Sequence, residues 1–236
     1  MTAATARAAT RAQSAPSIAL VDRMLVVSFG APVRACSWAI VGGGFAIAHR
    51  AVWIEVNDAE LRPPVDPRAL ARERMRAQGI ERDAIALLTS RRVATFEGCT
   101  LHDRELVVCA VATVGLGNAL RVGDPAGVAG RIGTINLLVH VSAPLTDEGL
   151  LEACAIATEA KTAAVLEARI TSRRTGLAAT GTGTDCTVLA CPAEGGCRES
   201  YAGKHTRTGA LVGAAAHQVV REGVDRWLRE SAGAPR

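Results

Sequence analysis

The order of apolar runs restricts the fold of this chain more than any other feature. Early runs are short and closed by Gly or Pro. Residues 24–29 form a predicted strand ended by Gly30-Ala31-Pro32, residues 36–41 a second ended by Gly42-Gly43-Gly44, and residues 51–56 a third with period-two alternation. A helix follows, with Asp66 as its cap and Pro67 in its first position, and it stops at Gly79. Next come residues 84–88 and a predicted antiparallel pair, 91–96 with 105–114. The runs then lengthen and alternate: a strand over 133–141, a helix from Thr146, a strand over 186–191 and a helix over 208–229. Strands first and strand–helix alternation later predict an α+β fold, a largely antiparallel or mixed β-sheet with long amphipathic helices packed on its faces. No GxGxxG follows the first strand, which argues against a dinucleotide-binding fold. One domain is expected over 17–230, with a disordered tail at 1–16 and a flexible one at 231–236.

Composition narrows the function classes. Aromatic residues make up 3% of the chain, so its core must be aliphatic. A net charge of +4, dispersed along the sequence, gives no footprint for nucleic acid. No apolar stretch is long enough for a membrane span. The seven cysteines are odd in number, none forms a CxxC, and several sit in apolar runs. This suggests free thiols in a reducing cytoplasm, with neither a disulfide framework nor a metal site.

Lysine occurs only at 161 and 204, and asparagine only at 57, 118 and 136. Every other fixed cation is arginine. Lysine is a point charge whose pKa moves on burial, so in an arginine-using chain its placement is informative. At 100° per residue Lys161 falls on the apolar stripe of its helix with Leu150, Cys154, Ala157, Ala164, Val165 and Ala168. A lysine there is expected to be functional or part of a buried pair. Glu159 points nearly the opposite way. The turn Thr180-Gly181-Thr182-Gly183-Thr184-Asp185, just before a strand, offers hydroxyls and accessible backbone N–H groups, suited to an anion or a developing oxyanion. Lys204-His205-Thr206 precedes the last helix, a position suited to phosphate or carboxylate.

With these motifs in view, the chain resembles the adenosylcobinamide amidohydrolase family. The resemblance rests on Gly115-Leu116-Gly117-Asn118-Ala119 with Gly123-Asp124, on Gly133-Thr134-Ile135-Asn136, on Ala157-Thr158-Glu159-Ala160-Lys161-Thr162, on the Thr/Gly turn, and on Tyr201-Ala202-Gly203-Lys204-His205-Thr206. It implies hydrolysis of the amide joining the corrin ring to the aminopropanol arm of adenosylcobinamide, with complete corrinoids carrying an unwanted lower base as further substrates. The loop over 191–198 and the N-terminal tail lie outside the resemblance.

Amide hydrolysis needs an attacking oxygen, a base, an oxyanion site and an acid for the leaving amine. One assignment makes Thr182 or Thr184 the nucleophile or oxyanion donor, with Lys161 as base. A second lets Asp185 or Glu159 activate water, with His205 as proton donor. Asn118 and Asn136 are expected to position substrate amides, with Asp124, Thr134, Gly181, Gly183, Lys204 and Thr206 also on the substrate. No cofactor is expected, since the corrinoid is substrate, and no metal, since no clear metal-ligand spacing appears. A homodimer contact on an exposed helix face is left open. Two other function classes stay open: a hydrolase of a different amide, and a corrinoid-binding protein without catalysis.

Overall fold

A computed structural model describes residues 15–80, 83–127 and 133–233. In chain order the elements are β1 (Ser17–Val21), β2 (Met24–Ser37), β3 (Gly44–Glu55), α1 (Pro67–Ala77), β4 (Ala84–Thr89), β5 (Glu97–Asp103), β6 (Leu106–Val114), β7 (Ala119–Leu120), β8 (Ile135–Val141), α2 (Asp147–Glu167), β9 (Gly181–Thr182), β10 (Cys186–Pro192) and α3 (Arg207–Gly233). Eight strands form one mixed sheet in the order β4-β3-β2-β10-β8-β6-β5, with β1 added to β2. The pairs β3/β4 and β8/β10 are parallel and the rest antiparallel. The fold is therefore α+β, with a mixed sheet and helices on its face.

Side-chain alternation divides the core. Leu137 and Val139 of β8 and Leu189 of β10 pack with α2 and α3, while Leu138 and Val188 point to the other face. Both faces of these central strands are covered, so β8 and β10 are buried along their whole length. The second face would be solvated if the sheet were flat. Strands β4 and β8 are four positions apart in the sheet, about 19 Å at ordinary strand spacing. Yet Asn136 Nδ2 of β8 donates to the Leu88 carbonyl of β4 at 2.8 Å. The sheet curls until its β4 edge reaches the start of β8, and Trp53, Ile85 and Leu87 share a cluster with Val111 and Leu138.

Three local expectations need correction. Gly30 does not end a strand: it takes φ +68° at an irregularity in the β2/β3 register between Ser28 and Val33, and β2 runs on to Ser37. A glycine accommodates that bulge without ending the strand. The second predicted strand thus stops at Ser37 rather than residue 41. Finally, the partner of β6 is β5, not residues 91–96, which contain a single 3-10 turn over Val93–Thr95. The helices follow their capping signals. Asp66 accepts from Arg68 N, Thr146 Oγ1 from Gly149 N, and Thr206 Oγ1 from Gly209 N. α3 extends to Gly233, so residues 231–233 of the expected C-terminal tail are helical. Residues 1–14 of the expected N-terminal tail lie outside the described residues, and β1 begins at Ser17. Among the described residues no helix is long and apolar enough to cross a membrane. All seven cysteines are free thiols.

The curled interior holds one histidine. His140 is 3% exposed and stacks on Phe29 with ring centroids 5.6 Å apart. Burial pushes its imidazole down from 6.5 to about 4. The unfolded chain therefore binds a proton near pH 6.5 that the folded chain refuses until about pH 4. Stability present above pH 6.5 is lost as pH falls through that window, by on the order of 3 kcal/mol from this residue. Urea titrations from pH 7 to pH 4.5 should show the slope, and His140→Phe should flatten it. An unchanged slope in the variant would assign the loss to carboxylates instead.

Candidate active site

The Thr/Gly turn and the buried lysine meet. Lys161 is 7% exposed, and its ammonium donates to Asp185 Oδ2 from the helix side of the sheet. Oδ1 accepts from Thr182 Oγ1 at 2.6 Å, and from Thr182 N and Ile135 N at 3.1 Å each. Asp185 therefore sits at the centre of the turn, charged on one side by an ammonium and on the other by a hydroxyl and two amides. Gly181 is required for close approach: a Cβ there would collide with Asp185 Oδ2 and lie 2.7 Å from Lys161 Nζ. Lys161 thus reaches Asp185 rather than a threonine hydroxyl, so the expected lysine–threonine contact is replaced by a threonine–carboxylate–ammonium chain.

On the opposite side of the turn lies a cleft of about 550 Å³. Trp38, Ile40, Val56, Leu61 and Leu87 give it apolar walls, and Asn118, Thr134, Asn136 and Thr184 a polar floor. Most of that floor is already engaged. Thr134 Oγ1 donates to Thr184 O at 2.8 Å, Thr184 Oγ1 to Gly133 O at 3.0 Å, and Asn136 Nδ2 to Leu88 O. Asn118 differs: the residue is 8% exposed, lines the cleft, and its carboxamide makes no hydrogen bond among the described residues. Its amide is open to hydrogen bonding from the cleft side. Cys186 also lines the cleft, but burial pushes its thiol up to about 12, which keeps it protonated and weakly nucleophilic.

The two halves adjoin. Thr182 pairs with Ala119, next to Asn118, and its Oγ1 accepts from Thr184 N at 3.4 Å. The Thr182 hydroxyl therefore lies one peptide behind the cleft wall. The other sequence candidates are elsewhere. Glu159 pairs with Lys204 across exposed surface, and neither they nor the exposed His205 lines the cleft. Thr206 caps α3. Asp124 accepts from Ser172 Oγ, Thr175 Oγ1 and Arg121 N, joining two loops, and the Ser172 bond is the first cause lowering its pKa. Among the described residues no group of three His, Cys, Asp or Glu could hold a metal ion.

One cleft residue escaped the sequence reading. Trp38 is 54% exposed at the cleft mouth, and its Nε1 donates to Asp185 O at 2.5 Å. The sequence pattern places it inside a strand over 36–41; an indole in a chain so poor in aromatics is the available signal.

A model of the adenosylcobinamide amidohydrolase (CbiZ) family matches residues 6–232. The chain belongs to that family. An uncharacterized protein from Methanocaldococcus jannaschii is 33% identical to this family member over 165 residues, 61% of this chain and 64% of that relative. Among solved structures, a protein from Pyrococcus horikoshii is similar over 88% of this chain and 77% of its own, with 11% identity and a TM-score of 0.45. A beta-aminopeptidase from a Burkholderia species is similar over 87% of this chain and 78% of its own, with 14% identity and a TM-score of 0.44.

Proposed function

We propose that this amidohydrolase-family member cleaves the aminopropanol amide of adenosylcobinamide, releasing adenosylcobyric acid and aminopropanol for cobinamide salvage in the cytoplasm. The unpartnered Asn118 carboxamide at the base of an apolar cleft carries this reading. Asn118 Nδ2 donates to the scissile carbonyl and holds the oxygen as its charge grows. A cleft of about 550 Å³ is too small for a whole corrinoid, so it takes the side arm and leaves the macrocycle at the mouth. Complete corrinoids present the same arm and fall within the same reading.

The attacking oxygen is Thr182 Oγ1, which stands one peptide behind the residues lining the cleft, so the side arm must pass Thr184 to meet it. As it adds to the carbonyl carbon, its proton passes to Asp185 Oδ1, with which it already shares a 2.6 Å bond. Lys161, bonded to the other carboxylate oxygen, holds Asp185 in place against the Thr182 hydroxyl. Collapse expels aminopropanol, which takes up the proton, and water then releases cobyric acid from the acyl-threonine. Lys161 acts by holding the base, not as the base itself.

Incubation with adenosylcobinamide followed by mass spectrometry tests the reading. Stoichiometric cobyric acid and aminopropanol are expected. Binding of cobinamide without cleavage would make the protein a carrier, and cleavage of small amides alone would make it a different hydrolase.

A further inference from the structure

Beyond Trp38 the cleft continues into a second depression of about 390 Å³, and the two share Trp38, Ala39, Ile40 and Arg68. Its character is different. The floor is the backbone of Gly42, Gly43 and Gly44, without side chains. Those glycines are required there. A Cβ on Gly43 would lie 2.5 Å from Ala39 O, one on Gly42 2.9 Å from Ala84 O, and Gly42 and Gly44 take φ of +70° and +84°. The wall is α1, which presents Arg68 and Arg72 one helical turn apart. Neither guanidinium has a carboxylate partner among the described residues. On the same helix Arg74 pairs with Glu60, as does Arg23. The depression thus combines accessible backbone, two free guanidiniums and an indole fixed through Asp185 O. Guanidinium forks at that spacing suit a phosphate, which accepts from both.

We propose that this depression is a phosphate subsite adjoining the hydrolytic cleft. Its occupant is either a phosphate ester carried on the arm of the substrate or a free phosphate. The first source rests on the function proposed above. Aminopropanol carries its hydroxyl two carbons from the amide nitrogen, so an ester there leaves the cleft on the side of its mouth. The second source needs only the subsite.

Calorimetric titration of the full chain with cobinamide, cobinamide phosphate and inorganic phosphate tests this, alongside Arg68→Gln/Arg72→Gln and Arg68→Lys/Arg72→Lys. Cobinamide phosphate should bind at least about tenfold more tightly than cobinamide. That ratio should collapse toward one in the glutamine variant and survive in part in the lysine variant. Inorganic phosphate that binds the wild type, is lost from the glutamine variant and does not compete with cobinamide phosphate identifies the free anion as occupant. Equal binding of the two corrinoids with no uptake of inorganic phosphate overturns the proposal, as does a ratio that persists in the glutamine variant. Both arginines are exposed, so folding is not at issue, and melting curves confirm it. A phosphate preference without amide cleavage would remove the hydrolase reading and leave the subsite standing.

Discussion

Lys161→Met is expected to lower the unfolding free energy by about 3–5 kcal/mol and to reduce turnover below detection. The substitution leaves Asp185, whose side chain is 10% exposed, without its counter-charge. A buried charge stripped of its partner costs far more than the pair itself contributes, because desolvation is then uncompensated. Asp185→Asn should be as damaging, since its amide nitrogen would face an ammonium. The double variant Lys161→Met/Asp185→Asn removes both charges and should recover part of the stability. It should recover none of the activity, because no carboxylate remains to accept the Thr182 proton. Denaturant unfolding and turnover on the three variants make a double-mutant cycle. Full turnover in Lys161→Met would show that the pair has no part in the chemistry.

The second large effect separates chemistry from folding. Asn118→Ala should cut kcat by about 10²–10³-fold, the usual cost of one oxyanion donor. Stability should change little, because the Asn118 carboxamide makes no hydrogen bond among the described residues. Thr182→Val should abolish turnover, while Thr182→Ser keeps a hydroxyl and should retain measurable activity. A kcat within threefold of wild type in Asn118→Ala would remove the oxyanion assignment. Activity in Thr182→Val would transfer the attack to water.

Much of this was readable in the chain, for identifiable reasons. Lys161 was conspicuous because helical periodicity is a local property, and a lysine on an apolar stripe violates it visibly. Its partner was not conspicuous. Asp185 reaches Lys161 only because β10 packs beneath α2, a tertiary fact that no local period encodes. Glu159 shares a motif with Lys161 yet faces solvent, as the helical angle required. β5 was missed because it is an edge strand whose exposed positions alternate with half-buried ones, giving a weak apolar signal. β2 was cut short because a glycine at a bulge resembles one at a turn. The cleft itself was beyond sequence reading, since its walls come from β4, β8, β10 and the segment after β2.

The bond from Asn136 to the Leu88 carbonyl gives the cleft a dependence on history as well as geometry. Its two anchor points are separated by nearly fifty residues of chain, so the cavity has no meaning in any fragment or half-closed intermediate. A nascent or partly opened molecule can carry every catalytic side chain and still be unable to take substrate.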